Sequence, residues 1–468
     1  MPQLLDPSMT LAREGDRITL RRSTWPAGYP LFQLHPVCAV ILALLDGERT
    51  EHEVATVIGQ VFDFAPEAAA DATRLTLRKF ERFLTEPSRL DGRPPLALDP
   101  AEFIIPAPPA QHLLPRETVP QYIWWRVTRY CNRKCKYCCV AAKHAQQAPD
   151  SSITFERLRE LFTEGADIGV RGVALSGGEA FIRPDMLDIV ELLLGLGYEV
   201  DIDTKFALSD AQIARLADAG LPILHVSLDS YKAETANYLV GDPAFFDSIT
   251  RSIRSLLAHG IRVTITSVLT ERNVRELPQL TDFLAGLGVE QQTLNTFSRY
   301  YGQCRYVEAF ELSAESKAWL RETVPALQER HAGRMRLIYD RNFNAEAASS
   351  SCGNEPADPS RALSINCDQG IRVLRVLPDG RVSRCDQWWY EEDVVFGDLR
   401  KQSIYEVWSS PELMEMLHPP RERFRGTACE GCAIFDACSS TGRCIFAAHE
   451  AYGTIYAPDS HCFRKAVQ

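Results

Sequence analysis

No run of about eighteen apolar residues occurs in the chain, so no helix is expected to span a membrane. The first residues, Met-Pro-Gln-Leu-Leu-Asp, lack a basic stretch followed by an apolar core, and a cytoplasmic protein without a secretory signal is expected. Positive charge is in deficit. Against 62 Asp and Glu stand 51 Lys and Arg, and the net −11 argues against nucleic-acid binding as the main activity. Internal repeats and low-complexity tracts are absent, and 45% apolar with 24% charged residues is an ordinary globular balance. A length of 468 residues exceeds one core, so about two to four domains are expected.

Cysteine is what the chain has in plenty. Fourteen thiols without secretory features point to metal rather than to disulfides. They are bunched. Cys38 stands alone among apolar neighbours, four cysteines fall within 131–139, and eight lie between Cys352 and Cys462. In the run Cys131-Asn-Arg-Lys-Cys135-Lys-Tyr137-Cys138 three thiolates can hold three irons of a four-iron cube and leave the fourth free for a reactive ligand. Taken alone, such a run also fits a zinc knuckle or a ferredoxin-like site.

Residues 1–90 read as a small α+β module. Two β-rich stretches, Met9–Arg13 and Arg17–Arg22, precede helical segments near 35–46, 50–61 and 65–85. Asp46-Gly47 stops the first helix and Thr50-Glu-His-Glu opens the second as a capping box. Residues 91–120, with Pro106-Ala-Pro-Pro109 at the centre, form a semi-rigid linker. From 121 to about 300 strand and helix patterns alternate. Strands are predicted at Tyr122–Thr128, Gly172–Leu175, Glu199–Asp203, Ile223–Leu228, Arg262–Leu269 and Gln291–Thr296. Helices are predicted near 155–168, 185–196, 210–219, 244–259 and 274–287. Six such units make a parallel, barrel-like sheet two short of a full eight, with loops of chemical interest at the strands' C-terminal ends. Residues 301–351 read as a helical bridge, and 352–468 as a cysteine-rich domain.

The first cysteine run, C-x3-C-x2-C with an aromatic before the last cysteine, resembles the radical S-adenosylmethionine (radical SAM) superfamily. The resemblance implies a three-quarter β6/α6 barrel. It also implies a 4Fe–4S cluster on Cys131, Cys135 and Cys138 whose open iron chelates SAM, and one-electron cleavage of SAM to a 5′-deoxyadenosyl radical. Leu175-Ser176-Gly177-Gly178-Glu179, one strand later, is similar to the family's SAM-binding Gly-Gly-Glu turn. By the same resemblance Ser227 and Asp229, at the end of the fourth strand, are candidates for the ribose hydroxyls. Thr204 ends the third strand at similar depth, and Tyr137 is expected at the adenine. Cys139 is expected to be a spare thiol.

The C-terminal cysteines resemble the SPASM domain, which carries two auxiliary 4Fe–4S clusters. That resemblance implies one cluster on Cys429, Cys432, Cys438 and Cys462 and another on Cys367, Cys385 and Cys444, with Cys352 as its fourth ligand or with an open iron. Between Cys438 and Cys444 stand five residues where the usual pattern has three. Asp386 occupies the place of a proton acceptor in sulfatase-maturing relatives, and Trp388-Trp389 either line a cavity beside it or pack. Cys304 fits neither group. His35-Pro36 and Leu45-Asp46-Gly47-Glu48-Arg49-Thr50 resemble the peptide chaperone of pyrroloquinoline quinone biosynthesis, a RiPP recognition element with a winged-helix-like fold. Such modules bind a precursor's leader as an added strand.

Together these resemblances imply a maturase of a ribosomal precursor peptide that forms a carbon–carbon or thioether cross-link, using three 4Fe–4S clusters, SAM, and an electron donor such as flavodoxin or ferredoxin. A peptide epimerase and a formylglycine-forming sulfatase maturase are the enzymatic alternatives. An iron–sulfur electron carrier or peptide-binding scaffold is the non-enzymatic one, although a carrier has no use for the Gly-Gly-Glu turn.

Overall fold

The computed structural model describes residues 3–14, 17–23, 32–90, 94–105, 116–138, 143–145, 153–297, 307–339, 367–385, 394–435, 438–439, 443–460 and 462. Cys139, Cys304, Cys352, Asp386, Trp388 and Trp389 lie outside the described residues, as does the centre of the proline-rich linker. The chain divides into two units, one of Met1–Pro120, Ala357–Arg372 and Trp408–Gln468, the other of Gln121–Pro356 and Val373–Val407. No helix among the described residues is long and apolar enough to cross a membrane.

The first unit begins with β1 (Leu4–Leu5), β2 (Met9–Glu14), β3 (Arg17–Arg22) and β4 (Phe32–Gln33). Alternation decides the hairpin. Met9 and Leu11 on β2 and Ile18 and Leu20 on β3 are buried, and the strands pair antiparallel from Met9↔Arg22 to Glu14↔Arg17. β4 adds to the other edge of β3, giving the order β2-β3-β4. Helices α1 (Pro36–Leu44), α2 (Glu51–Phe62) and α3 (Pro66–Phe80) follow. Pro36 starts α1 where its missing N–H costs nothing, and His35 Nδ1 accepts from Val37 N at 3.2 Å. Gly47, at φ +81°, turns the chain beyond α1. The capping box on α2 forms in full, Thr50 and Glu53 each satisfying the other's backbone amide. The third helix stops at Phe80 rather than near 85, because β5 (Leu84–Thr85) pairs with β1. Phe32, Phe80 and Phe83 close this core edge to face.

Elsewhere in the first unit the buried Arg116 donates to Gly370 O at 3.0 Å and stacks 4.6 Å over the Trp408 ring. Phe424 packs against Phe435 and Tyr456 with centroids 4.8 and 5.7 Å away.

The second unit is built on a ten-stranded sheet. Its strands are β6 (Tyr122–Thr128), β9 (Gly172–Gly177), β10 (Glu199–Thr204), β11 (Ile223–Ser227), β12 (Arg262–Leu269), β13 (Gln291–Thr296), β14 (Arg336–Tyr339), β15 (Val373–Val376), β16 (Arg381–Ser383) and β17 (Val395–Asp398). Short β7 (Tyr130–Cys131) and β8 (Lys143–His144) pair apart from it. The order is β14-β13-β12-β11-β10-β9-β6-β15-β16-β17, with eight consecutive parallel strands and an antiparallel hairpin at the end. The connections carry α4 (Phe155–Ile168), α5 (Met186–Gly195), α6 (Asp210–Asp218), α7 (Ala233–Val240), α8 (Phe245–Ala258) and α9 (Leu277–Leu287), and α10 (Val307–Phe310) and α11 (Ala314–Arg330) come before β14.

Alternation again gives the sheet two unlike sides. Trp125, Val173, Leu175, Val200, Ile202, Leu224, Val226, Val263 and Ile265 are buried at every second position, and Trp125 meets Phe162 of α4. The other side carries Trp124, Arg126, Ser176, Asp201, Asp203, His225, Ser227 and Thr264. The six expected strands form, and the elements beyond the sequence expectation include β14, β15 and α7. β14 lies in the stretch read as helical, β15 in the cysteine-rich region, and α7 in the loop after Asp229. Each depends on partners distant in sequence, β14 on β13 and β15 on β6.

Gly165 in α4 faces Tyr198, whose hydroxyl donates to Phe162 O at 2.6 Å. A Cβ at Gly165 would stand 2.4 Å from that hydroxyl. Gly165→Ala is therefore expected to destabilise the protein by about 1–3 kcal/mol. A urea-unfolding midpoint equal to wild type would contradict this packing.

Candidate active site

The cysteine run leaves the C-terminal end of β6, where loops of a parallel sheet carry chemistry. Helix α7 seats it. Its last carbonyls, free of intrahelical partners, accept from the loop: Lys134 N to Val240 O at 3.2 Å and Lys136 N to Leu239 O at 2.9 Å. Gly241, at φ +74°, ends α7 where a Cβ would lie 2.9 Å from Lys134 O. Arg133 pairs with Asp242 and donates its amide to Cys131 Sγ at 3.3 Å.

Cys131, Cys135 and Cys138 stand unbridged within one another's electric field. Burial first, then the charges of Glu179 and Cys138, pushes Cys131 up to about 11 against the Arg133 amide, and burial with the neighbouring thiols pushes Cys135 up to about 12 against Lys205. Both are protonated near neutral pH until a metal displaces the protons. Among the described residues no three His, Cys, Asp or Glu side chains grip a single metal ion. Three soft thiols brought together at the end of a strand are a donor set that fits an iron–sulfur cluster.

The turn after β9 lies on the base of this loop. Gly178 N donates to Thr128 O at 2.8 Å and Glu179 N to Tyr130 O at 2.9 Å. A Cβ at Gly177, at φ +130°, would sit 2.5 Å from Thr128 O, and one at Gly178 only 1.9 Å from Tyr130 O. Glycine is required at both. Ser176 Oγ, just before, accepts from Trp124 Nε1 at 3.1 Å. Glu179 is buried. Its Oε1 accepts from Thr204 Oγ1 at 2.7 Å and Phe181 N at 3.2 Å, and its Oε2 from Lys205 N at 3.0 Å. Burial raises the Glu179 pKa while these hydrogen bonds pull against the rise.

Asp229, also buried, accepts from the Tyr137 hydroxyl on Oδ2 and from Val268 N on Oδ1 at 2.8 Å. Tyr137 is packed with Leu239 and Phe310, and burial followed by the Asp229 charge drives its pKa well up. Ser227 ends β11 beside Thr266. Two residues here escaped the sequence reading. Asn273 donates to Asp229 O at 2.7 Å and Val268 O at 2.9 Å, clamping the ends of β11 and β12. Burial disfavours the Lys205 charge, yet Asp229 and the three thiols together raise its pKa. Its place directly after Thr204, at a strand's C-terminal end, was the available signal.

In the first unit Cys429, Cys432, Cys438 and Cys462 form one electrostatic neighbourhood, and Cys367 and Cys444 another. Burial is the main cause that pushes Cys438 up to about 12. Arg443 lowers both Cys429 and Cys438. Cys444 caps the helix Ile445–Tyr452, its Sγ accepting from Ala447 N at 3.4 Å, and its own amide donates to Asp459 Oδ2 at 3.1 Å. In the second unit Cys385 is buried after β16, its amide held 3.2 Å from Ser383 Oγ.

Residues 125–284 match the Radical SAM superfamily and residues 367–433 the SPASM iron–sulfur cluster-binding domain. Fe-coproporphyrin III synthase of Methanosarcina barkeri is 27% identical over 72% of this chain and 86% of its own. PqqA peptide cyclase of Rhizobium meliloti is 24% identical over 70% of this chain and 87% of its own. In fold the chain is similar to Streptococcus suis SuiB, solved bound to precursor peptide SuiA, with TM-score 0.58 at 15% identity, covering 98% of this chain and 99% of that one. The protein has a radical SAM fold with a SPASM domain, and it is an enzyme.

Replacing the buried Glu179 carboxylate by an amide turns one acceptor into a donor facing a backbone N–H. Glu179→Gln is expected to lower stability by about 1–3 kcal/mol. Thermal unfolding at neutral pH checks this, and an unchanged midpoint would contradict it.

Proposed function

Proceeding from a radical SAM fold with a SPASM domain, we propose that this enzyme oxidatively cross-links residues within a ribosomally made precursor peptide, by a carbon–carbon or thioether bond. One observation carries the reading: three thiols presented at the end of β6, against which the Gly177–Glu179 turn is locked backbone to backbone. Cys131, Cys135 and Cys138 would hold a 4Fe–4S cluster whose free iron takes SAM. The bound group supplies one-electron cleavage of SAM and a 5′-deoxyadenosyl radical that removes a hydrogen atom from the peptide.

The chain's own residues do the rest. Gly177 and Gly178 bring backbone groups close enough to meet the methionine end of SAM, and Glu179 keeps the turn shaped through Thr204 and Lys205. Ser227 and Asp229 offer oxygens for the ribose. The Lys205 charge balances the thiolates, and the sheet curls as a three-quarter barrel around the reaction. Cys429, Cys432, Cys438 and Cys462 would hold one auxiliary cluster, and Cys367 with Cys444 would contribute to another. Such clusters would supply a place for the electron that an oxidative coupling leaves behind. In the first unit β2 and β4 are the outer strands of the sheet β2-β3-β4 among the described residues, and an extended leader would add to one of them. A flavodoxin or ferredoxin is the expected electron source.

PqqA peptide cyclase among the relatives supports a peptide substrate. A second reading, a tetrapyrrole substrate, is favoured by Fe-coproporphyrin III synthase among them. Anaerobically reconstituted enzyme, SAM, reductant and the precursor peptide should yield 5′-deoxyadenosine and a peptide lighter by two hydrogens. Cys131→Ala, Cys135→Ala and Cys138→Ala should each abolish both products. A peptide of unchanged mass would overturn the cross-linking reading, and a porphyrin altered instead would establish the second.

A further inference from the structure

On the side of the sheet away from the helices, β10, β11 and β12 bring Asp201, His225 and Thr264 together. The His225 ring bridges the other two. Its Nε2 lies 3.2 Å from Asp201 Oδ1, and its Nδ1 is hydrogen-bonded to the Thr264 hydroxyl. Strand register imposes the meeting, since His225 stands opposite Asp203 on β10 and Thr264 on β12. None of these residues belongs to the cysteine motifs or to the SAM turn.

The same side runs up to the thiol loop. Along β10 the column Asp201, Asp203 ends at Lys205, which feels all three thiols. Along β12 the column Thr264, Thr266 ends at Val268, packed against Tyr137. At about 7 Å for every second residue, the His225 group lies one to two steps below Lys205. A substrate held under SAM would occupy that depth. The arrangement also has a direction: the His225 side chain is 26% exposed and Asp201 is 59% exposed, so the chain leads toward water.

We infer that Thr264, His225 and Asp201 form a proton relay that receives the proton released as the peptide cross-link closes. The inference rests on the cross-linking reading. In that reaction a substrate C–H and an X–H, with X carbon or sulfur, become one C–X bond. The C–H hydrogen leaves as an atom to the 5′-deoxyadenosyl radical, and the surplus electron passes to an oxidised auxiliary 4Fe–4S cluster. The X–H proton goes to Thr264 Oγ1 while the hydroxyl proton moves to His225 Nδ1. Asp201 holds the opposite N–H and steadies the resulting imidazolium. Water then takes the proton through the exposed Asp201.

The groups facing the ring are Asp201 and Asp203 from β10 and Thr264 from β12, with Lys205 beyond Asp203. The Asp201 hydrogen bond, opposed by burial and helped by the charges of Asp203 and Asp201, raises the His225 pKa above its usual value. Only the neutral ring accepts a proton. Cross-linking should therefore fall as pH drops through that raised pKa.

With holoenzyme and precursor peptide, His225→Gln and Thr264→Val should lower cross-linked product per 5′-deoxyadenosine by about 100-fold. SAM cleavage should continue, and Thr264→Ser should restore coupling. In the holoenzyme, the pH profile of coupling should report the His225 titration and move to lower pH on Asp201→Asn. Full coupling in both variants, loss of 5′-deoxyadenosine together with product, or a His225 titration indifferent to Asp201 would each overturn the relay. Failure of the wild-type enzyme to shed two hydrogens would instead refute the cross-linking reading itself.

Discussion

The site in the second unit depends on a close approach between two stretches of backbone, the turn Gly177–Glu179 and the root of the cysteine loop at Thr128–Tyr130. Two amides of the turn donate to two carbonyls of the root, and at both glycines a side chain would collide with those carbonyls. That contact fixes where the thiol loop stands relative to β9. Glu179 extends the lock to β10 through Thr204 and Lys205, so three neighbouring strands end in one hydrogen-bonded rim. Oriented side chains come second to this. Backbone can be brought this close to backbone only where no Cβ intervenes.

Around the rim the electrostatics are of a piece. Cys131, Asp229 and Glu179 are buried, and burial is the largest cause that raises the pKa values of Cys131, Cys135 and Glu179. Lys205 stands among them, its pKa raised by Asp229 and the three thiols despite its own burial. The sheet continues this polarity downward. Its helix side is a conventional apolar layer, whereas the opposite side carries arginines at β6 and β15 and an Asp–His–Thr chain across β10 to β12. So polar a surface is unusual on a parallel sheet, where both sides are normally apolar.

Much of the frame was legible in the residues. Six of the parallel strands and five of their helices follow from local periodicity, because each buries its own alternate or helical face whatever its neighbours do. The capping box at Thr50 and the stop at Gly47 were legible for the same reason. β14 and β15 were not. Arg336–Tyr339 and Val373–Val376 are short and become strands only by joining β13 and β6 from far along the chain. Helix α7 was hidden by the motif before it, and α3 ended early because Leu84 and Thr85 had a partner near the N-terminus.

The same division runs through the site. The identity of the thiols, the need for two glycines and the order of motifs along the chain were determined by the amino acids alone, since metal preference and steric allowance are properties of residue types. What tertiary structure decided is which groups share a field. Lys205 beside the cysteines, Asn273 tying β11 to β12, and His225 between Asp201 and Thr264 each join residues from separate strands. Parallel register sets these meetings, and register depends on the packing of every helix between the strands, which no single segment encodes.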